Sequence, residues 1–550
     1  MARLRKTQAR LGRMRPPGQL RDLQEALTQL SRTVSTTLGD LERGDATTFS
    51  GDLAAARTRL AGLLDQSPDI IVRSVTVGVH WQWPALVVFV DGLVGNEMVD
   101  QDTVQRLQDA SPQGTPAPAA VWEVVQSQLI TVGHVTQTTQ WSEIVAKILA
   151  GNTAVFLAGC PTVLVMDTVK YPARSVPTAT TEPAIKGPQE AFNEVGLTHM
   201  DQLRRWIRSP RLHFDAHTVG RVSRTPVVVA YLDGIVNPTL LAHVTDRVER
   251  VSRDVVTRAN ELGEYLPTHR LSIFPLYRLS DRVDWVAREL GSGKIAILVE
   301  NDPFAIVLPM TLVDFYHTSQ DYSLPWWDGT LVRLVRLVAL VIGLYLMPLY
   351  IALTSVDVDL IPTSLLLTIA GSRQGIPFPP VVEVIIMYII IEILREAANR
   401  LPKELAVTLG TVGAVVVGTA IVKAGIVDDV MIVSATLTAL GLFTTPAFEM
   451  STPWRWLFWV MILGAYFLGI FGMLMATVGI VGYLASLDSF GVPYLSPFGP
   501  LRTSEWLDAW GRGPAPWQRS RPRSIRPVVV QQAAPSSPPD PFRLRPRNHE

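Results

Sequence analysis

LVRLVALVIGLYLMPLYIAL, residues 334–353, and WLFWVMILGAYFLGIFGMLMATVGIVGYLASL, residues 456–487, decide how this chain divides. A helix crossing a hydrocarbon core of about 30 Å needs about 20 mostly apolar residues, and both runs supply them. Three further apolar stretches lie between them, 380–394, 405–422 and 430–446, with a piece at 360–370 too short for a crossing. That piece opens on Ile361-Pro362-Thr363 and closes on Gly371-Ser372-Arg373, which suits a re-entrant or interfacial helix. Everything before about residue 325 reads as soluble. The expected fold class is therefore an α/β cytosolic head joined to an all-α multi-pass transmembrane domain.

Length and charge bound the rest. A chain of 550 residues is too long for one core. Lys and Arg total 49 and Asp and Glu total 49, so the summed charge gives no case for nucleic acid. The N-terminus carries Arg3, Arg5, Lys6, Arg10, Arg13 and Arg15 with no apolar stretch behind them, unlike a secretory signal, so the head is expected in the cytosol. A single cysteine, Cys160, excludes an intramolecular disulfide.

Positive charge flanking the spans sets their orientation. Arg333 and Arg336 stand at the start of the first, and Arg395, Arg400 and Lys403 close the second, so both clusters belong on the cytosolic side. Asp357 and Asp359 then sit in an outward loop. The tail holds Arg502, Arg512, Arg519, Arg521, Arg523, Arg526, Arg543, Arg545 and Arg547, which makes it cytosolic and demands an even number of crossings. Five clear spans do not satisfy that. Either the last run, long for one helix, folds back near Gly469 to Gly472, or the short piece completes a crossing.

Charges inside the second span are expensive unless paired, interfacial or functional. Glu392, Arg395 and Glu396 have the spacing for an ion pair along one helix face, and Glu383 falls at the outer end, where an interfacial position is expected. Lys423 can snorkel from the end of the third span. Small residues recur four apart, Ala414 with Gly418 and Gly472 with Ala476, which allows close helix approach within the chain or between copies.

The head repeats itself. LVVFVDGLV at 86–94 and VVAYLDGIV at 228–236 are β-branched runs closed by an acidic-Gly turn, and Asp91/Asp233, Gly151/Gly293 and Pro161/Pro303 are each 142 residues apart. Duplication explains one register kept at three anchors. A helical stretch follows each turn, and paired apolar runs at 154–157 with 162–166, and 295–299 with 305–308, read as hairpins. This gives two similar α/β subdomains, 53–175 and 186–325, between a basic arm, 1–52, and the helical domain, 330–490, with a basic Pro-rich tail at 491–550. The glycines of the two turns serve positive φ. GSGK at 291–294 is not a nucleotide loop, because Arg288 stands where the first glycine belongs and Ile295 where a hydroxyl should hold magnesium. No motif offers a catalytic site, a metal site or a cofactor, and an enzyme is not expected.

IPTSLLLTIAGSRQGIPFPPVVE (361–383), EILREAANRLP (392–402) and LASLDSFGVPYLSPFGP (484–500) resemble segments of the A-subunit family of bacterial spore germinant receptors, the GerA family. SPDIIVR (67–73), VDGLV (90–94), IKGPQEAF (185–192), YLDGIVN (231–237) and ILVENDPFAIVLP (297–309) extend the likeness through the head in the same order, covering about 53–505. A SpoVA-associated paralogue shares much of the membrane domain, and TPAFEM (445–450) fits both. The resemblance implies a subunit of the spore inner membrane that couples nutrient sensing to ion release. It further implies work beside a permease-like B subunit and a lipoprotein C subunit, and assembly of several copies into a gated cation channel. A non-conducting scaffold or transducer is the competing reading. Carried over by motif, the gating or pore candidates are Pro362, Leu366, Arg373, Gly375 and Pro377 in the short piece, and Glu392, Arg395 and Glu396 in the second span. The arm 1–51 has no counterpart in the family pattern, and NEVGLTHM after GPQEAF replaces a more basic run.

Overall fold

The computed structural model describes residues 48–64, 67–95, 97–110, 117–129, 135–170, 178–179, 181–182, 185–400 and 418–532. The basic arm before Thr48, most of the linker 171–183, Ala414, most of the span 405–422 and the end of the tail lie outside these residues.

The first subdomain comprises α1 (Leu53–Leu64), β1 (Ile70–Val77), β2 (Trp83–Val90), β3 (Val135–Thr138), α2 (Trp141–Leu149), β4 (Thr153–Leu157) and β5 (Val163–Met166). Its antiparallel sheet has the order β1-β2-β4-β5-β3. Strand period two sends Val87 and Phe89 to one face, under helical turns at Met98–Gln105, Arg106–Asp109 and Pro118–Leu129. Leu86, Val88 and Val90 go to the other, under α1 and α2. Phe49 is buried against Trp141 and Phe156, so the chain joins this core before α1 begins.

The second subdomain repeats the first: α3 (Gly196–Trp206), β6 (Leu212–Val219), β7 (Thr225–Leu232), α4 (Pro238–Glu249), β8 (Arg278–Ser280), α5 (Val283–Gly291), β9 (Ile295–Val299) and β10 (Ala305–Leu308). Its sheet order is β6-β7-β9-β10-β8. The duplication reaches the hydrogen-bond register. Ala85 opposite Leu157 becomes Val227 opposite Val299, and Ile70 opposite Val90 becomes Leu212 opposite Leu232, each 142 residues on. Gly92 and Gly234 have φ of 86° and 72°, as the Asp-Gly turns require.

The α3 helix joins the two subdomains. Arg204 donates from Nε to Asp69 Oδ2 at 2.7 Å and from Nη2 to Asp69 Oδ1 at 3.2 Å and Ser67 Oγ at 3.1 Å, with all three residues buried. One turn earlier the Asp201 carboxyl lies against Gly92, where any Cβ would collide with it. Burial, then the negative charges of Asp69 and Asp91, push the Asp201 carboxyl up to about 8 against the pull of Arg204.

The C-terminal region is all-helical: α6 (Trp326–Ile351), α7 (Thr363–Ser372), α8 (Pro380–Arg400), α9 (Gly418–Lys423), α10 (Asp429–Phe443) and α11 (Phe448–Ser486). Among the described residues, two helical stretches, Trp326–Val356 and Phe448–Ser486, are long and apolar enough to cross a membrane. The second is a hairpin. Gly469 takes φ 62° and ψ −140°, and beyond it the chain runs back: a Cβ on Gly464 would stand 2.7 Å from the Gly472 carbonyl oxygen, and Thr477 approaches Met461. In a straight helix residues eight apart are separated by about 12 Å. The structure thus adopts the fold-back near Gly469, and Gly472 packs on Gly464 of its own chain. Asp357, at the end of α6, accepts from Ile470 N at 2.6 Å and latches the bend. Between α6 and α10, Gly343 and Gly441 permit backbone contact, a Cβ on Gly343 falling 2.9 Å from Leu442 N.

One hydrophobic cluster runs from the α3/α5 face of the second sheet, through Phe214, Leu298 and Phe274, into the helices at Met347 and Met461 and to Tyr494 in the segment after α11. The tail is part of the head as well. Phe490 and Ile525 enter the core on the α4 face, and Arg521 donates to the Gly291 carbonyl.

Two outcomes follow. Gly472→Val is expected to destabilise the detergent-solubilised chain by about 2 kcal/mol through overpacking, whereas Gly479→Ala, which meets nothing within 4 Å, changes stability by less than about 1 kcal/mol; thermal unfolding of the two variants checks the difference. Asp201 binds its proton more tightly when folded. Its stabilising contribution is complete below the unfolded value near 3.8 and is lost as pH rises through about 8. Asp201→Asn should remove a slope of up to about 1.4 kcal/mol per pH unit from the stability profile between those limits, read as melting temperature against pH.

Candidate functional site

The gating candidates separate into two groups at opposite ends of α8. At one end α7, α8, α10 and the end of α6 meet around buried polar side chains. Arg373, the residue after α7, lies 3.0 Å from Glu383 Oε1 and donates to the Tyr350 hydroxyl at 2.9 Å and the Phe378 carbonyl at 3.1 Å. Glu383 accepts from Asp428 N at 3.2 Å, and Asp428 accepts from the Tyr350 hydroxyl at 3.0 Å. Asp428 is also the N-cap of α10, accepting from Met431 N at 2.6 Å. Glu383, at the start of α8, is buried within the protein, its charge paired with Arg373 and its Oε2 bound by the Asp428 amide. Pro362 starts α7 exposed and Leu366 is half-buried on it, while Leu365 and Leu367 on the same helix are exposed. Gly375, with φ 96°, and Pro377 form the exposed turn from α7 to α8.

At the other end of α8, Arg395 pairs with Glu392 at 2.7 Å, as its spacing indicated, and lies over the Phe443 ring at the end of α10. Sequence reasoning missed the second partner: Arg455, in the first arm of α11, reaches Glu392 Oε2 at 3.1 Å. A single arginine within an otherwise apolar run was the available signal. Tyr388, one turn before Glu392, stacks on Phe458 at 4.5 Å. Glu392, Glu396, Arg455, Trp456 and Trp459 line an open groove of about 690 Å³. Nine residues separate Glu383 from Glu392, about 14 Å along a helix.

A third cluster, also missed, couples the head to the helices. Asp321 is buried and accepts from Arg333 Nε at 3.2 Å and Arg336 Nη1 at 2.8 Å, both on α6. Arg333 also donates to Asp508 Oδ1 at 2.9 Å, and Asp508 accepts from the Tyr322 hydroxyl at 3.0 Å. Burial alone would raise the Asp321 carboxyl; the Arg336 hydrogen bond and the charges of Arg336 and Arg333 reverse that and hold it below its ordinary value. Arg333 and Arg336, read from sequence as topology signals, are therefore also structural. Lys294 of the GSGK stretch is buried between Glu289 at 2.6 Å and Asp314 at 2.8 Å, which leaves it no role toward a phosphate.

The model of the Bacillus/Clostridium GerA spore germination protein family matches residues 58–524. Spore germination protein GerLA of Bacillus cereus is 30% identical over 478 residues, 87% of this chain and 96% of that protein. Spore germination protein KA of Bacillus subtilis (strain 168) is 32% identical over 460 residues, 84% of this chain and 84% of that protein. Among solved structures, the N-terminal domain of the A subunit of the Bacillus megaterium spore germinant receptor GerK3 aligns with a TM-score of 0.38 and 23% identity, over 48% of this chain and 97% of that one. A match that enters in the first helix of the head and leaves in the last described turns of the tail, with relatives aligned over most of their length, makes this chain a member of the GerA spore germination protein family.

Proposed function

We propose that the chain is the membrane subunit of a spore germinant receptor and that several copies enclose a gated cation path. It would act beside a permease-like B subunit and a lipoprotein C subunit in the spore inner membrane, with head and tail cytosolic. The observation that carries the reading is the cluster at Arg373, Glu383 and Asp428. Two buried acids and a partly buried arginine are held beside α7, most of whose surface, Leu365 and Leu367 included, is left uncovered within one chain. Buried charge at membrane depth is costly and is retained where it serves transport or gating. In this reading α7 supplies the apolar constriction that holds the path closed by dewetting. In this reading the fold-back at Gly469 supports an even number of passes, which would return the tail to the side of the head.

A non-conducting transducer is the second reading. It is favoured by the pairing of Arg373 with Glu383 and of Arg395 and Arg455 with Glu392, which gives each of those charges an opposite partner inside one chain. Cation flux through liposomes containing the purified chain separates the two. No flux from intact oligomers, with or without the partner subunits and nutrient, leaves the transducer.

If α7 forms the constriction, Leu366→Ser should raise the resting cation leak of such liposomes and of spores; unchanged retention in Leu366→Ser and Leu367→Ser together places the gate elsewhere. Arg373→Met strands Glu383 and is expected to cost about 3 kcal/mol of stability, most of which the Arg373→Met/Glu383→Leu double variant recovers; a double-mutant cycle on thermal unfolding measures the coupling.

A further inference from the structure

Loop 267–277 of the second subdomain leaves two aliphatic side chains in the open: Leu271 is 98% exposed and Ile273 is 50% exposed. Single exposed apolar residues are common on protein surfaces, so exposure alone decides nothing. Position decides. Phe274, the next residue, is buried between Trp454 of the first α11 arm, 5.5 Å between rings, and Tyr483 at the end of the second, 6.1 Å. Ile273 N donates to the Tyr483 hydroxyl at 3.2 Å, and His269 pairs with Asp488, two residues past α11, at 2.9 Å. The loop is thus pinned at the level where the apolar hairpin ends. Exposed Trp456 stands at the same end of α11, and exposed Trp326 and Trp327 at the matching end of α6, the side chains that favour the headgroup region of a bilayer.

On the α4 side of the loop the charge is positive, while Glu264 and Glu449 line the groove on its other side, Glu264 accepting from Asn260 and Glu449 from Leu279 N. Arg270 is exposed, and Arg247 and Arg250 line the adjoining groove with it. The facing acids are matched, Asp246 by Arg250 at 2.8 Å and Asp488 by His269. Arg247 is held in place by the Leu266 carbonyl and Thr268, over the Phe490 ring. Asp246 thus has its own arginine, and Asp488 is also held by the Gly491 amide, so Arg247 and Arg270 are engaged with neither.

We propose that loop 267–277 is a lipid-binding element. Leu271 and Ile273 enter the headgroup–acyl boundary of the leaflet facing the head, and Arg270 with Arg247 receives the phosphate of an anionic lipid. Apolar insertion beside basic side chains is the combination by which peripheral elements hold a membrane surface. The element adds to the covalent connection through α6 a second tie between the second subdomain and the bilayer, which fixes the tilt of the head. The inference rests on the membrane reading above.

The lone cysteine makes the test direct. Cys160 is buried, with Sγ 3.3 Å from the Pro118 carbonyl, so Cys160→Ser keeps a donor there. In that background Leu271→Cys carries a nitroxide, and the full chain is placed in nanodiscs of phosphatidylcholine with or without phosphatidylglycerol. Collision with oxygen, which concentrates in lipid, is compared with collision with a water-soluble nickel chelate. Labels at Val222→Cys, exposed on the same subdomain, and Leu463→Cys, exposed on the first arm of α11, give the aqueous and lipid references. The expected oxygen-to-nickel ratio at position 271 is several-fold above that at 222 in anionic discs, and it falls in zwitterionic discs and in Arg270→Gln. A water-like ratio at 271 with a lipid-like ratio at 463 overturns the inference and leaves the membrane reading standing. Protection of 271 from both reagents overturns it in favour of a protein contact such as a second copy. A water-like ratio at 463 removes the membrane reading and the inference together.

Discussion

Asp321 is the point on which the rest of the molecule hangs. Its carboxylate is buried where head, helices and tail converge, and two arginines of α6 depend on it for neutralisation. Removing one member of such a group strands the others in a poorly solvated place, which is costlier than the group's net worth to stability. The capping box formed by Thr318 and Asp321 fixes the short helix that presents the carboxylate, and Arg333 carries the connection on to Asp508 in the tail. Arg512 adds bonds to the Asp321 and Leu324 carbonyls from the tail side. A rotation of the second subdomain therefore cannot leave α6 where it was. α6 in turn meets α10 at Gly343 and Gly441, and Asp357, six residues past its end, holds the Gly469 bend, so one packed path runs from Asp321 along the helical layer.

The two halves of the head show how one fold takes two jobs. Their registers coincide, yet only the second sheet shares a hydrophobic cluster with the helices. The difference is written in α1 and α3, which are equivalent by the 142-residue offset. Positions filled by Asp201 and Arg204 in α3 are filled by Arg59 and Gly62 in α1. The helix-borne pair Asp201 and Arg204 at the junction thus belongs to the second copy only, while the first contributes Asp69 from the turn before β1. Arg59 instead lies over the Trp141 ring within its own subdomain, 5.3 Å from the centroid. Polar contacts at Arg204 and Asp201 join the first subdomain to the second, and an apolar core joins the second to the helices.

What could be read from the chain was whatever obeys a short-range rule. Period-two runs closed by Asp-Gly gave the strands, the constant offset gave the duplication, and the length of 456–487 together with Gly469 gave the hairpin as one of two solutions. What escaped depends on partners far apart. That Glu383 is buried is not evident until Asp428, 45 residues later, donates its amide to it. Arg455 is invisible as the partner of Glu392 because 63 residues intervene. The tail was read by its arginines as a solvated basic extension. Its two apolar insertions, Phe490 and Ile525, are single residues without periodicity, and they decide where it lies. Asp508 is one acid among many arginines, and composition gives it no weight.

The separation of the candidates along α8 bears on how a gate of the proposed kind would have to work. Arg373 comes from the end of α7 and Arg455 from α11, so the ion pairs at the two ends of α8 are made with different neighbours. Sliding or turning α8 by a fraction of a helical turn against both would break pairs at both ends together, and each break leaves a charge in surroundings that solvate it poorly. The closed arrangement is then held by two distant locks that open in concert, and intermediate positions of α8, with one lock broken, gain nothing in return. In a gate of the proposed kind, an α8 held at both ends would favour discrete positions over a continuum, and a displacement of α6 would reach α7 through it.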